Sequence, residues 1–233
     1  MRGAAGRPRY GAVLGAMRRH LAHLFPDAPP TAVAAAAGAE AVSGAGAEDP
    51  FRVLVSTIIS TRTKDAVTSA AADRLLAAAP DARRLAALPQ ARIARLIFPA
   101  GFYRTKAVNL RASARMLLER HAGRVPDDMD SLLELPGVGR KVANLVRGLG
   151  FGIPGICVDT HVHRISNRLG WVGTRDPAGT ERELTRVLPR RYWIAVNELM
   201  VRWGQTVCTP LSPRCSSCPV AGVCRRRGVT RTR

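Results

Sequence analysis

The stretch Leu-Pro-Gly-Val-Gly-Arg-Lys-Val-Ala, residues 135–143, lies between two segments that have the spacing of helices. Gly137 and Gly139 are separated by one residue, which favours a tight turn with exposed backbone amides. Beside a helix N-terminus, such amides can hold a phosphate oxygen. A glycine pair alone would be an ordinary helix link, but the proline before it and the basic pair after it make the string more specific. The stretch therefore predicts a hairpin between two helices, with Val138 in the angle between them.

Helical spacing continues on both sides of this turn. Asp49 followed by Pro50 is typical of a helix start, with Asp as the cap and Pro at the first helical position. The alternating patterns expected of strands are scarce. The sequence therefore predicts an all-α fold. Helices are predicted at residues 10–25, 51–60, 64–79, 89–98, 102–121, 129–135, 141–150, 161–169, 177–188 and 192–203.

The charge balance points to a polyanionic partner. The 233 residues include 36 basic and 17 acidic side chains, a formal net charge of +19. A GC-rich genome would explain Arg in place of Lys, but not a twofold excess of basic over acidic residues, so nucleic acid is the expected partner. The sequence shows no apolar run long enough to span a bilayer and no signal-peptide pattern. We therefore expect a soluble intracellular protein.

Lysine is rare in this chain. Only Lys64, Lys106 and Lys141 are lysines, and the other 33 basic residues are Arg. A position that keeps Lys in such a background can require an amine that loses its proton and attacks carbon, which a guanidinium does not do. For Lys64, chance retention is a sufficient explanation. For Lys141, the plainer alternative is a phosphate contact.

Four of the five cysteines are clustered near the C-terminal end of the sequence. Their spacing is Cys208-x6-Cys215-x2-Cys218-x5-Cys224. In an intracellular chain this clustering favours a metal site over disulfides, and four thiolates at short spacings bind either zinc or an iron–sulfur cluster. Cys157 lies in an apolar run and is expected to be a small core residue.

The hairpin string and a second string, 158–161 (Val-Asp-Thr-His), together resemble the endonuclease III branch of the helix–hairpin–helix DNA glycosylases. The resemblance extends in the same order through 51–60, 101–103, 106–107 and the cysteines, covering roughly residues 49 to 225. It implies a two-lobed all-α fold, with a six-helix barrel domain, a [4Fe-4S] cluster domain and a DNA cleft between them. The implied divisions are 1–48 (an N-terminal helix packing with the C-terminal lobe, then an Ala/Pro-rich insertion), 49–153 (barrel and hairpin), 154–225 (cluster domain) and 226–233 (basic tail).

The resemblance also implies a reaction. Lys141 would be the nucleophile and Asp159 its essential carboxylate partner, in a bifunctional enzyme that removes oxidised or saturated pyrimidines and cleaves the strand at abasic sites through a Schiff base. The chemistry is coherent, since a carboxylate stabilises oxocarbenium character at the sugar carbon and an amine can attack that carbon. Asp159 could also simply cap the following helix. The alternative function is a specialised or weakly active relative that acts mainly as an abasic-site lyase or as a damaged-DNA binder.

The remaining site residues are assigned by the same resemblance. Arg62 and Phe102 occupy the positions that fill the gap left by a flipped nucleotide, and many relatives carry Gln where this chain has Arg62. A plain phosphate contact is the alternative for Arg62. His161 and Glu134 also match family positions near the site, where a structural hydrogen bond is as reasonable as a catalytic part. DNA contacts are expected at Gly137, Val138, Gly139, Arg140, Arg62, Phe102 and His161.

For the cysteines, the 6-2-5 spacing resembles the family's [4Fe-4S] loop, with zinc as the alternative. Cys208, Cys215, Cys218 and Cys224 are then the ligands. The cluster would order a basic surface that carries Arg214 and residues 225–227. The expected partner is double-stranded DNA with a damaged base or an abasic site, bound by a monomer in the nucleoid of a bacterial cytoplasm.

Overall fold

The computed structural model describes residues 10–26 and 49–233, and within them the secondary structure is helical, without strands. The predicted all-α class is confirmed. The α-helices are α1 (Tyr10–Leu24), α2 (Pro50–Ser60), α3 (Asp65–Ala78), α4 (Ala82–Ala87), α5 (Gln90–Ile97), α6 (Tyr103–His121), α7 (Met129–Glu134), α8 (Arg140–Leu145), α9 (Thr160–Leu169), α10 (Pro177–Val187) and α11 (Ala195–Thr206). A π-helical turn at Val146–Gly150 continues α8, and 3-10 turns occur at Arg190–Tyr192 and Ala221–Val223.

Helix α2 begins as the sequence predicts. The Asp49 side chain accepts a hydrogen bond from the backbone N–H of Phe51 at 3.0 Å, and Pro50 takes the first helical position. From Phe51 to Ile59, all residues but Arg52 are buried. A helix that is apolar on every side is stable only inside a core, where each large apolar side chain contributes about 1.5–3 kcal/mol.

Two stretches differ from the predicted helices. Helix α4 was not predicted, because six residues are too few to show a period; it is started by Asp81, whose carboxylate accepts from Arg84 N at 2.8 Å. The helix predicted at 192–203 is displaced and runs from Ala195 to Thr206. A 3-10 turn precedes it after Pro189, and the Trp193 indole donates to Leu188 O at 2.8 Å.

The described residues fall into two compact units. One unit, residues 49–157, contains α2 to α8 and a continuous apolar core that includes Leu54, Leu75, Ile93 and Leu117. The other is built from two separate parts of the chain, 10–26 and 158–233, and contains α1, α9 to α11 and the cysteines.

In the second unit, α1 packs through Met17 and Leu21, both buried. The His20 and Trp203 rings meet edge-on with their centroids 5.5 Å apart, so α1 lies against α11. The insertion predicted at 27–48 lies outside the described residues. None of the helices described is both long enough and apolar enough to cross a membrane.

Candidate functional site

The hairpin between α7 and α8 has the turn that its glycines predict. Gly137 has a φ of 84°, in the left-handed region, and Val138 N donates to Leu135 O at 3.0 Å. Val138 is buried, as expected of a residue in the angle between two helices. Gly139 then serves as the cap residue that precedes α8.

Helix α6 fixes this hairpin from the side. The Ser113 hydroxyl donates to Pro136 O at 2.8 Å. A Cβ on Gly137 would lie 2.9 Å from Asn109 Nδ2, too close for a real contact. Gly137 is therefore required both by its backbone angle and by the approach of α6. Gly139 is different, because a Cβ there would meet nothing within 4 Å.

Lys141 is the second residue of α8, directly after the glycine turn. It is half-buried, whereas its neighbour Arg140 is exposed. Val142 to Leu145 are buried, so the helix holds Lys141 at the edge of the core. Lys141 thus lies two positions after Gly139, the last residue of the turn whose amides are expected to hold phosphate.

Asn144 connects α8 to the segment that precedes Asp159. Its Nδ2 donates to Ile156 O at 3.2 Å, and a Cβ on Gly155 would lie 2.6 Å from Asn144 Oδ1. Ile156 and Cys157 are buried, so Cys157 is the small core residue that the sequence predicts.

Asp159 caps α9. Its Oδ1 accepts hydrogen bonds from His161 N at 2.9 Å and from Val162 N at 2.8 Å. The alternative structural role is therefore real, and it uses one of the two carboxylate oxygens. The carboxylate is half-buried and held in one orientation by two backbone donors.

Behind Asp159, two arginines of α9 reach the loop of the first clustered cysteine. Arg164 Nη2 lies 3.1 Å from His161 Nδ1 and donates to Cys208 O at 3.0 Å. Burial lowers the pKa of the Arg164 guanidinium from its usual value. Arg168 is buried, and its guanidinium donates to Cys208 Sγ at 3.4 Å and to Thr209 O at 2.7 Å. Sequence reasoning missed both contacts, because arginine is too common in this chain to stand out.

The four clustered cysteines line one cavity of the second unit, together with apolar side chains such as Leu169 and Trp203. None of the four forms a disulfide, and burial raises the pKa values of the Cys218 and Cys224 thiols. Among the described residues, no three His, Cys, Asp or Glu side chains are grouped closely enough to hold a single metal ion. Four soft sulfur donors around a shared apolar cavity, with a buried cation at one of them, fit an iron–sulfur cluster.

In the first unit, the two residues expected to enter DNA lie side by side. Arg62 follows α2 with a φ of 52°, and Phe102 precedes α6 with a φ of 56°. The Arg62 guanidinium carbon is 5.5 Å from the centroid of the Phe102 ring, a cation–π contact. The Phe102 side chain is 63% exposed. Glu134, in contrast, is exposed and pairs with Arg120 at 2.8 Å.

Lys106 lies beneath these two residues and is only 5% exposed. Its Nζ donates to Ile59 O at 2.6 Å, to Thr61 O at 2.5 Å and to Thr63 Oγ1 at 2.8 Å. Burial lowers its pKa to about 8. The sequence assigns no role to Lys106, and its retention in an arginine-rich chain was the signal available.

Comparison with known proteins identifies a family and several relatives of this chain. The model of the HhH-GPD superfamily of base excision DNA repair proteins matches residues 55–190, more than half of the chain. Endonuclease III of Thermotoga maritima is 46% identical over 183 residues, which cover 77% of this chain and 86% of that protein. The chloroplastic endonuclease III homolog 2 of Arabidopsis thaliana is 43% identical, and the match spans about half (48%) of its longer chain.

Among solved structures, a trapped covalent intermediate of endonuclease III with DNA matches with a TM-score of 0.76 and 33% identity, covering 94% of this chain and 95% of that one. A thermostable thymine-DNA glycosylase shares the fold at 21% identity, with a TM-score of 0.68.

The cysteine region has a match of its own. The iron–sulfur binding domain of endonuclease III matches residues 208–224. This region therefore binds a [4Fe-4S] cluster, and zinc, the alternative left open by the cysteine spacing, is set aside. The match over more than half of the sequence and the 46% identity to a bacterial relative establish that this chain belongs to the endonuclease III family of base excision DNA repair glycosylases.

Proposed function

We propose that this protein excises oxidised or saturated pyrimidines from double-stranded DNA and then cleaves the strand at the abasic site. The observation that carries the proposal is the position of Lys141, half-buried in the first turn of α8 and directly after the glycine turn. An amine next to a phosphate-binding turn is suited to reach the sugar of the nucleotide whose phosphate the turn holds.

In the proposed reaction, the neutral Lys141 amine attacks the anomeric carbon of the damaged nucleotide. The N-glycosidic bond breaks, and the base leaves with the bonding electron pair and takes up a proton. Opening of the sugar ring then gives a Schiff base between lysine and sugar. Loss of a proton from the adjacent sugar carbon expels the 3′ phosphate, which cleaves the strand. Water then hydrolyses the imine and restores the amine.

Asp159 is the proposed electrostatic partner in the first step. Departure of the base leaves positive character on the sugar ring, and a fixed carboxylate stabilises it more than mobile water does. The two backbone donors at Oδ1 supply that fixed orientation. Cap and catalyst are therefore compatible roles for this one side chain.

The proposed DNA contacts divide into two groups. Gly137, Val138, Gly139 and Arg140 would hold the backbone through the amides and charge of the hairpin. Arg62 and Phe102 would fill the gap left by the flipped nucleotide, with His161 near the site. The support for the wedge is the exposure of Phe102 and its contact with Arg62.

We propose that Cys208, Cys215, Cys218 and Cys224 are the ligands of the [4Fe-4S] cluster. The cluster supplies cross-links that order the loop in which the ligands lie, because metal binding and folding of such loops are coupled. Arg214 and Arg225 to Arg227 lie on this loop or directly after it and are exposed. The ordered loop would therefore present positive charge to the phosphate backbone of nucleoid DNA, bound by a monomer in a bacterial cytoplasm.

Borohydride trapping tests the reaction most directly. Reduction of the imine on a duplex with an abasic site or an oxidised pyrimidine should link wild-type protein covalently to DNA, and Lys141→Ala should abolish the link. Lys64→Ala is the matched control, since it removes an exposed lysine from the same unit. Equal trapping by Lys141→Ala and wild type would assign the nucleophile to another amine.

The second candidate, an abasic-site lyase or a damaged-DNA binder with little glycosylase activity, is favoured by Arg62 at the wedge. Single-turnover rates on the two duplexes separate the candidates. A fast rate on the abasic duplex with no base release from the oxidised one indicates the lyase. Tight binding with no trapped complex on either duplex indicates the binder.

A further inference from the structure

Lys106 is a buried lysine of the first unit, and the proposed reaction assigns it no role. Of the three lysines, Lys64 is exposed, Lys141 is half-buried and Lys106 is buried. A buried ammonium loses its hydration, so it must be compensated by partners inside the protein. The arrangement of those partners indicates what Lys106 does.

The three donors of the Lys106 ammonium match three acceptors. Two are the carbonyls of Ile59 and Thr61, which belong to the C-terminal end of α2, and the third is the Thr63 hydroxyl. The last carbonyls of a helix have no partner within the helix and lie at its negative end, so a cation is well placed there. Lys106 thus caps α2 from the first turn of α6.

Thr63 connects this cap to the loop before α6. Its hydroxyl accepts hydrogen bonds from Lys106 Nζ and from Gly101 N, the latter at 3.1 Å, and donates to Thr61 O at 3.3 Å. A Cβ on Gly101 would overlap the carbonyl oxygen of Arg62. The two loops are therefore in direct backbone contact, with the amine of Lys106 at their junction.

Each of these loops carries one wedge residue in a disfavoured conformation. Arg62 and Phe102 both have positive φ, which residues with a Cβ adopt only where the surroundings hold them. Lys106 N donates to Phe102 O at 3.0 Å, so Lys106 contacts the Phe102 loop through its backbone and the Arg62 loop through its side chain.

We propose that Lys106 is a positioning residue for damage recognition, holding the Arg62 and Phe102 loops together so that both side chains enter DNA as one unit. The inference rests on the proposed wedge function of these two residues. It predicts that loss of the Lys106 amine weakens the preference for damaged over intact DNA while leaving general attraction to DNA in place.

The test compares Lys106→Met with Lys64→Met, which removes the same charge from the surface of the same unit. Fluorescence anisotropy gives Kd for a duplex with a stable abasic-site analogue and for an intact duplex at one salt concentration. Lys106→Met should reduce the ratio between the two affinities by about tenfold or more, the size expected for charged hydrogen bonds. Lys64→Met should change both affinities by the same small factor.

Two further variants exclude a merely structural effect. Thr63→Val removes the acceptor shared by Lys106 and Gly101 with little change of volume, and it should lower the affinity ratio without adding to the effect of Lys106→Met. It also serves as the test if Lys106→Met does not fold. In an Arg62→Ala, Phe102→Ala background, Lys106→Met should have no further effect on the ratio, because nothing remains to be positioned.

The outcomes separate the two proposals. An unchanged ratio in Lys106→Met or Thr63→Val, with a lowered ratio in the Arg62, Phe102 double variant, overturns the role of Lys106 and leaves the wedge intact. An unchanged ratio in that double variant overturns the wedge and, with it, the positioning role. A wild-type protein that gives no borohydride-trapped complex contradicts the lyase, and the binding measurements still decide the role of Lys106.

Discussion

Asp159 offers a way to separate helix capping from catalysis in a single side chain. Asn and Asp are equally good N-cap residues, whereas Ala is a poor one. Asp159→Asn should therefore keep the thermal midpoint close to that of wild type, and Asp159→Ala should lower it by about 2–4 °C. Base excision should fall by about a hundredfold or more in both variants, because neither keeps the negative charge. Calorimetry and single-turnover excision measure the two effects.

The results that would contradict this expectation for Asp159→Asn and Asp159→Ala are equally specific. If Asp159→Asn excised bases at the wild-type rate, the carboxylate would be a helix cap and nothing more. A matching loss of stability in both variants would show that the amide does not replace the carboxylate at the cap.

The buried Lys106 should make stability depend on pH. Its pKa of about 8 in the folded protein lies below the ordinary value of 10.5, so between these values the unfolded chain binds more protons. Stability then rises with pH in this window, and the penalty for burying the charged amine is largest below the folded pKa. Between about pH 7 and pH 10, the thermal midpoint of wild type should rise relative to that of Lys106→Met. A constant difference would mean that Lys106 titrates like an exposed lysine.

Individual residues differ in how far the sequence reveals them. The roles proposed for Lys141 and Asp159 rest on local signals, because Lys141 follows a glycine turn and Asp159 lies between an apolar run and a helix. Lys106 has no such signal, since its partners lie more than 40 positions earlier in the chain. Burial of a polar side chain is decided by tertiary packing, and one sequence does not show it.

At the level of elements, the hairpin glycines make a matched pair for mutation. Gly137→Ala places a methyl group against Asn109 in a left-handed backbone conformation, so we expect the thermal midpoint to fall by several degrees. Gly139→Ala meets no neighbour and should be much less destabilising. If the turn holds the DNA backbone as proposed, Gly139→Ala should still weaken binding to an abasic-site duplex, because the methyl group would occupy the space that the phosphate needs.

Calorimetry and anisotropy on the two glycine variants check this expectation. Wild-type affinity in Gly139→Ala would show that the amides of the turn do not hold the DNA backbone. A larger loss of stability in Gly139→Ala than in Gly137→Ala would contradict the geometry of the hairpin.

The helices themselves were largely predictable. A period of three to four residues marks α1 and α6, whereas α2 is marked by a nearly continuous apolar run that follows the cap residue Asp49. The prediction failed at α4, which is too short to show a period, and at α11, where Pro189 and the indole of Trp193 favour a 3-10 turn first. In both places the deciding contacts are specific hydrogen bonds, which hydrophobic periodicity does not encode.

For the whole molecule, the division into two units predicts an uneven response to loss of the cluster. Cys224→Ser should remove iron and the visible absorption of the cluster. Backbone amides of α9 and α11, in the unit that contains the cysteines, should then exchange hydrogen faster. Amides of α2 and α6, in the unit of residues 49–157, should keep their protection.

Cys157→Ala is the control for this experiment, because it removes the buried cysteine that is not among the four proposed ligands, and it should leave the iron content unchanged. Faster exchange throughout α2 and α6 in Cys224→Ser would show that the two units unfold as one. Full iron content in Cys224→Ser would remove this residue from the ligand set.

The pairing of α1 with α11 also has a consequence for synthesis of the chain. His20 emerges from the ribosome long before Trp203, and at about 5–20 residues per second the interval is on the order of 10–40 s. During that time residues 49–157 can fold, because they form a compact unit of their own. The apolar face of α1 that carries Met17 and Leu21 meanwhile lacks its contact with α11. Among the helices described, α1 is therefore translated early but finds its partner α11 late, and a nascent chain halted before α11 presents the apolar face of α1 to a chaperone.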